Sequence, residues 1–172
     1  MMDKQWIVVR SKPRSEKVAH NELVKKNIES YLPLLKERRK WSDRKKWVEF
    51  PLFSSYLFAR IDIKDSIFVL QTQGVNTIVK FGKQIAIVQN SVIEAIRLAM
   101  EGGYQLEPVE YFVEGNQVEV IAGPMKGVKG IVAKLKGQNR LIIKIDAIQQ
   151  ALSIQIESKF IRNLNSKNAP IL

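Results

Sequence analysis

Residues 36–47 read KERRKWSDRKKW, with seven basic side chains against Glu37 and Asp43. This short segment carries +5 of the formal +11 of the whole chain, whose 28 Lys+Arg outnumber 17 Asp+Glu. A field of that sign attracts phosphates or acidic surfaces, and each cation placed on a phosphate releases a condensed counterion. Trp41 and Trp47 sit inside the basic run. An indole beside cations can stack on an unpaired base, worth about 1–3 kcal/mol per base. The candidate nucleic-acid contacts are Arg38, Arg39, Lys40, Trp41, Arg44, Lys45 and Lys46, with Lys12 and Arg14 as outlying cations. The competing reading is a solvated charged loop whose tryptophans fold back on a sheet.

Two further segments carry possible chemistry. Gln117–Val132, QVEVIAGPMKGVKGIV, puts Gly123-Pro124 at a turn, with Gly127 and Gly130 permitting tight backbone bends where a side chain would clash. It does not match the GxxxxGK[ST] pattern of a phosphate-cradling loop. Pro51–Phe58, PLFSSYLF, holds Phe53, Tyr56 and Phe58, which would either line an apolar groove or pack into a core. Reactive constellations are missing. With no cysteine, disulfides, thiolate catalysis and cysteine-ligated zinc are excluded. The single histidine, His20, has no glycine-flanked serine elbow to accompany it, and metal sites need convergent ligands. The expectation is a binding protein, with no enzyme activity, no metal and no cofactor. No apolar run approaches the roughly 18 residues of a membrane span, and the N-terminus has no signal-peptide apolar region, so the chain reads as cytoplasmic.

These segments need elements to hold them. Gln5–Arg10 is an apolar, β-branched run and reads as a buried strand. Ser15 can cap a helix running to about Lys26. Ile28–Leu35 and Phe50–Ile61 are extended, and the basic run between them is the arm and tip of a hairpin, turning near Trp41-Ser42-Asp43. Along the second extended segment Tyr56 and Phe58 alternate with Leu57, Ala59 and Ile61, which puts aromatics and aliphatics on opposite faces. Ser66–Thr72 is a short helix and Ile78–Phe81 a strand. Ser91–Met100 is the clearest helix, with Ser91 and Glu94 as a capping box and Val92, Ile93, Ile96, Ala99 and Met100 as its apolar stripe. The order implies an α+β domain with antiparallel pairing over residues 1–101. Residues 102–113 read as a linker. Beyond it, Val118–Ile121, Val128–Leu135, Leu141–Ile145, Leu152–Ile156 and Phe160–Leu164 are short strands, the spacing of a small five-stranded barrel over residues 114–164. Residues 165–172 read as a disordered tail.

Taken in order, several pieces resemble the NusG family, including its specialised RfaH-type members. They are Trp6-Ile7-Val8-Val9, Pro51–Phe58, Thr72-Gln73-Gly74-Val75, Ile78–Gly82, Ala86-Ile87-Val88 leading to Ser91-Val92-Ile93, and the Gln117–Val132 segment, which resembles a KOW motif. The run Trp41–Lys46 also resembles the operon-specific capsule polysaccharide antiterminators of Bacteroidetes. The resemblance implies an N-terminal NGN domain, an antiparallel sheet with three helices, followed by an SH3-like KOW barrel. It implies a monomer that binds the clamp helices of the largest RNA polymerase subunit through Trp6, Ile7, Phe53, Tyr56, Phe58, Ile93 and Ile96, and suppresses pausing and termination. It implies that the basic hairpin meets non-template DNA, and that the KOW domain meets Rho or a small-subunit ribosomal protein. An opposite-side polymerase contact would fall near Asp65–Ile67. Ser54-Ser55 stand where the general factor usually has Pro-Gly, and Gln73 where it has Pro, which favours a specialised paralogue. The runners-up are a KOW-containing RNA- or ribosome-binding protein and the general elongation factor. The β-branched runs Leu141–Ile145 and Ser153–Ile156 favour strands over the helical hairpin that the C-terminal region of RfaH adopts.

Overall fold

The computed structural model describes residues 3–40 and 42–165. Among these the chain divides into two compact units, one ending at Val88 and the other beginning at Gln89. The first is built on β1 (Gln5–Ser11), whose apolar run puts it at the centre of an antiparallel sheet ordered β2-β5-β1-β6, with β9 also pairing with β1. Its partners are β2 (Glu29–Tyr31), β5 (Tyr56–Ile61), β6 (Val75–Ile78) and β9 (Ile87–Val88). The register sets Val8 opposite Phe58 and Ile7 opposite Ala59. The expected split of faces follows. Ile7, Val9, Leu57, Ala59 and Ile61 share one cluster with Ala19 and Leu23 of α1 (Glu16–Lys25) and Val69 of α2 (Ser66–Leu70). On the other face Phe58 stacks with Tyr31 at 6.3 Å and meets Phe53 edge-on at 5.9 Å. Both faces of β1 are therefore buried, which is why it lacks the polar alternation of a half-exposed strand.

Two hairpins stand apart from that sheet: β3 (Leu34–Lys40) with β4 (Lys45–Pro51), and β7 (Lys80–Phe81) with β8 (Gln84–Ile85). The first is the expected basic arm.

The second unit contains α3 (Asn90–Glu101), which packs on β13, and one antiparallel sheet ordered β10-β14-β13-β12-β11-β15. Its strands are β10 (Leu106–Val109), β11 (Asn116–Val120), β12 (Lys129–Leu135), β13 (Gln138–Ile145), β14 (Gln150–Gln155) and β15 (Ile161–Asn163). All five expected strands are present in strand form. The ladder is open between β10 and β15 among the described residues, so it is a six-stranded sheet in which no pairing closes a barrel.

Three local expectations need correction. The stretch read as a linker contains β10, paired with β14. Leu106 is buried, and Glu107 reaches the nearly buried Arg140 guanidinium at 3.2 Å, so a residue of loop-like composition is anchored from across the sheet. Pro108 fits because a strand at the end of the ladder can spare an N–H. The capping box of α3 is absent. The helix starts one residue early, capped by extended Gln89, so Ser91 is already inside the first turn and Glu94 pairs with Arg97 at 3.1 Å. Ser15 does precede α1, but its hydroxyl donates to Pro13 O at 3.3 Å and caps nothing. Residues 166–172 and Trp41, named in the sequence reading, lie outside the described residues.

Candidate nucleic-acid interface

The β3–β4 arm is fixed at its base and bare at its tip. Leu34 packs against the core cluster of the first unit, and Leu52 N–H donates to Pro33 O at 2.9 Å. Beyond that, every residue from Lys36 to Lys40 and from Ser42 to Trp47 is exposed. At a strand rise of about 3.3 Å, seven residues carry each strand roughly 23 Å.

The register decides what the arm presents. Arg38 lies opposite Trp47, Arg39 opposite Lys46, and Lys40 opposite Lys45. Two like-charged pairs thus face each other directly, an arrangement that destabilises a two-stranded ribbon. Such a ribbon is marginal by itself in water. The one favourable directly opposed ion pair is Lys36–Glu49 at 3.4 Å, and Lys17 of α1 also reaches Glu49 at 3.6 Å. All these groups are exposed, so the pairs contribute little to stability. Trp47 is 65% exposed, unusual for an indole in a folded domain.

The outlying cations behave differently. Lys12 and Arg14 are exposed in the loop before α1; the Lys12 backbone N–H donates to Gly74 O at 2.8 Å, and Arg14 has a φ of +56°. Among the described residues no ion pair joins either to the arm. Lys17 is the cation the sequence reading missed. Its 3.6 Å approach to Glu49, across from α1 to β4, is a tertiary contact that the sequence does not show.

The residues expected to grip polymerase are mostly interior. Trp6, Ile7, Phe53, Phe58, Ile93 and Ile96 are at most 2% exposed, and Tyr56 alone is half-buried. Core packing, the plainer of the two readings of the aromatics, describes Phe53 and Phe58 in this structure. In the second unit, Gly123 and Pro124 open the turn between β11 and β12. Gly127 has a φ of +90° and its N–H donates to Val120 O at 2.7 Å. Gly130 lies within β12, where a Cβ would come 2.7 Å from Ile142 O. The spacing of the segment therefore answers one bend and one close approach.

No group of three or more metal-ligating side chains converges among the described residues. Among the same residues, no helix is long and apolar enough to cross a membrane. Burial lowers the His20 pKa, and its Nδ1 lies 2.8 Å from Ser30 Oγ.

The molecule is therefore a two-unit α+β protein that carries an uncovered cationic arm. A family model described as "Transcription termination factor nusG" matches residues 4–97, more than half of the chain. Among solved structures, the chain is similar to one described as "Domain interaction in Thermotoga maritima NusG", at 19% identity and a TM-score of 0.50, covering 95% of this chain and 99% of that one. The chain belongs to the NusG family, transcription factors that act in elongation and termination. At that level of identity the solved structure speaks for the fold.

Proposed function

We propose that this protein is a specialised NusG-type antiterminator that binds RNA polymerase, suppresses pausing and termination, and uses the β3–β4 arm to contact exposed non-template DNA. The observation that carries this reading is the arm itself: a solvent-exposed ribbon whose own strands oppose lysine to lysine and arginine to lysine. Such repulsion is relieved when an anionic strand lies along it, so the cost in the free protein becomes affinity in the complex. In this reading residues 1–101 form the NGN domain and residues 114–164 the KOW domain. Non-template DNA is the nucleic-acid partner, and Rho or a small-subunit ribosomal protein is the candidate for the KOW domain.

Pausing is suppressed if the factor binds the active polymerase better than the paused one. A difference of about 1.4 kcal/mol shifts their ratio tenfold. Contact with the clamp helices through Trp6, Ile7, Phe53, Phe58, Ile93 and Ile96 requires those side chains to be uncovered first, because all six are buried. Tyr56 is the member that can be changed without cutting into the core. Phe53→Ala would cost about 3–5 kcal/mol of stability and confound a binding assay.

The test is run-off transcription with purified polymerase across a pause site and a terminator. The wild-type protein should shorten the pause and increase readthrough, and Tyr56→Ala should weaken its co-migration with core polymerase. Arg44→Ala/Lys45→Ala/Lys46→Ala should reduce recruitment and lower the slope of log affinity against log salt by about 2, at roughly 0.7 per phosphate contact on single-stranded DNA. Wild-type protein that neither co-migrates with polymerase nor changes readthrough would remove the proposed role.

A further inference from the structure

The two faces of the arm are chemically unequal. Side chains of a strand alternate, so Arg38 and Lys40 of β3 share a face with Lys45 and Trp47 of β4, while Glu37, Arg39, Lys46, Val48 and Phe50 share the other. On that second face Arg39 is already engaged. Its Nε lies 3.2 Å from Glu37 Oε2, and its guanidinium sits 5.8 Å over the Phe50 ring. On the first face Arg38 has no hydrogen-bond or ion-pair partner among the described residues, and the exposed indole of Trp47 stands directly across from it. Directly opposed residues hold their Cβ atoms about 4.5–5.5 Å apart, so the guanidinium and the indole border one small area of surface.

We propose that this face reads single-stranded DNA, with Trp47 stacking on an unpaired base, Arg38 recognising the O6/N7 edge of guanine, and Lys40 and Lys45 holding the flanking phosphates. The inference rests on the reading of the arm as a DNA-binding element and assigns the work within it. An indole offers a flat platform to any unpaired base. A guanidinium offers two parallel N–H donors that match the guanine acceptors, whereas an ammonium contributes only a point charge. Arg39 serves the arm: by holding Glu37 and covering Phe50 it stiffens the back face and takes no part in selecting a base. The same alternation separates neighbouring cations of one strand. Lys45 falls on the reading face, and Lys46 lies behind it, opposite Arg39.

The test uses the full-length protein and fluorescence anisotropy with random single-stranded DNA about twelve nucleotides long, within the range one small domain covers. One pool contains guanine. A second contains 7-deazaguanine, which lacks the N7 acceptor. A third is the duplex form of the first. Wild type should bind the guanine pool at least about fivefold more tightly than the 7-deazaguanine pool, the lower end of what one bidentate base contact provides. Arg38→Ala and Arg38→Lys should both erase that preference, and Arg39→Ala should keep it. Trp47→Ala should abolish the preference for single strand over duplex, with Trp47→Phe restoring part of it. The assignment is overturned if the guanine preference is missing in wild type, survives Arg38→Ala, or depends equally on Arg39. It is overturned likewise if Trp47→Ala leaves strand preference untouched. Should wild type bind none of the three pools, the DNA-binding reading of the arm falls with it. Should Arg44→Ala/Lys45→Ala/Lys46→Ala weaken binding while Arg38 and Trp47 prove indifferent, only the division of labour falls. All the residues substituted are exposed, and matching melting curves will confirm that the variants fold.

Discussion

Ser55 holds a backbone φ of +69°, a left-handed conformation that disfavours any residue with a Cβ. Two hydrogen bonds support the bend. Ser55 N–H donates to Glu16 Oε1 at 2.8 Å, and Ser55 O accepts from Ser11 N–H at 2.9 Å, which ties the turn to α1 and β1 together. Ser55→Gly should therefore stabilise the protein by about 0.5–1 kcal/mol, the relief of strain less the added freedom of the unfolded chain. A melting temperature lowered by that change would show that the serine is not strained. His20 supplies a pH signature of its own. Burial lowers its pKa, so the unfolded chain binds more protons than the folded one once pH falls below the ordinary value of 6.5. Stability from this group is complete above that value and declines as pH falls through it. Melting curves at pH 7.5 and 5.5 should converge in His20→Gln relative to wild type, and an unchanged difference would assign the pH effect to other groups.

At the level of elements, strands with strong apolar patterns were legible and pairings were not. β1 announced itself through four apolar residues in a row, and the alternation around Tyr56–Ile61 gave its two faces correctly. β10 was not legible, because Glu107 and Pro108 carry loop composition. What makes it a strand is Arg140, more than thirty positions away in the sequence. Glu107→Ala should lower the stability of the second unit by about 1–3 kcal/mol, since it leaves a buried guanidinium without its counter-ion. The partial exposure of Glu107 sets the lower end. Native-state hydrogen exchange at β14 is the measurement, and unaltered protection there would mean that β10 contributes nothing to the sheet. The arm shows the same limit more sharply. Composition suggested a turn near Trp41-Ser42-Asp43, but composition does not fix a register. A slip of one exchanges the faces of β4 relative to β3. That slip decides whether Trp47 faces Arg38, and so no sequence argument could choose among the arginines.

For the whole molecule, the family match and the compact units end the first part at different places. The family match runs to residue 97 and takes in most of α3, whereas contacts group α3 with the second unit from residue 89. The first reads shared ancestry and the second reads packing. The candidate polymerase surface was legible as residue types but not as exposure, because an apolar aromatic run has the same appearance whether it faces a partner or an interior.

The bare arm has one more consequence. A ribbon rich in lysine and arginine, exposed along its outer half among the described residues, invites cutting by a trypsin-like protease. Brief digestion should nick the chain between residues 36 and 47, while the first unit's sheet, which pairs β1 and β2 with β5 and β6, keeps the fragments together until denaturant releases them. A nucleic-acid strand lying on the ribbon would shield those peptide bonds, so the rate of nicking becomes a footprint of occupancy. Cleavage that proceeds as fast with saturating single-stranded DNA as without it would mean that the strand rests elsewhere.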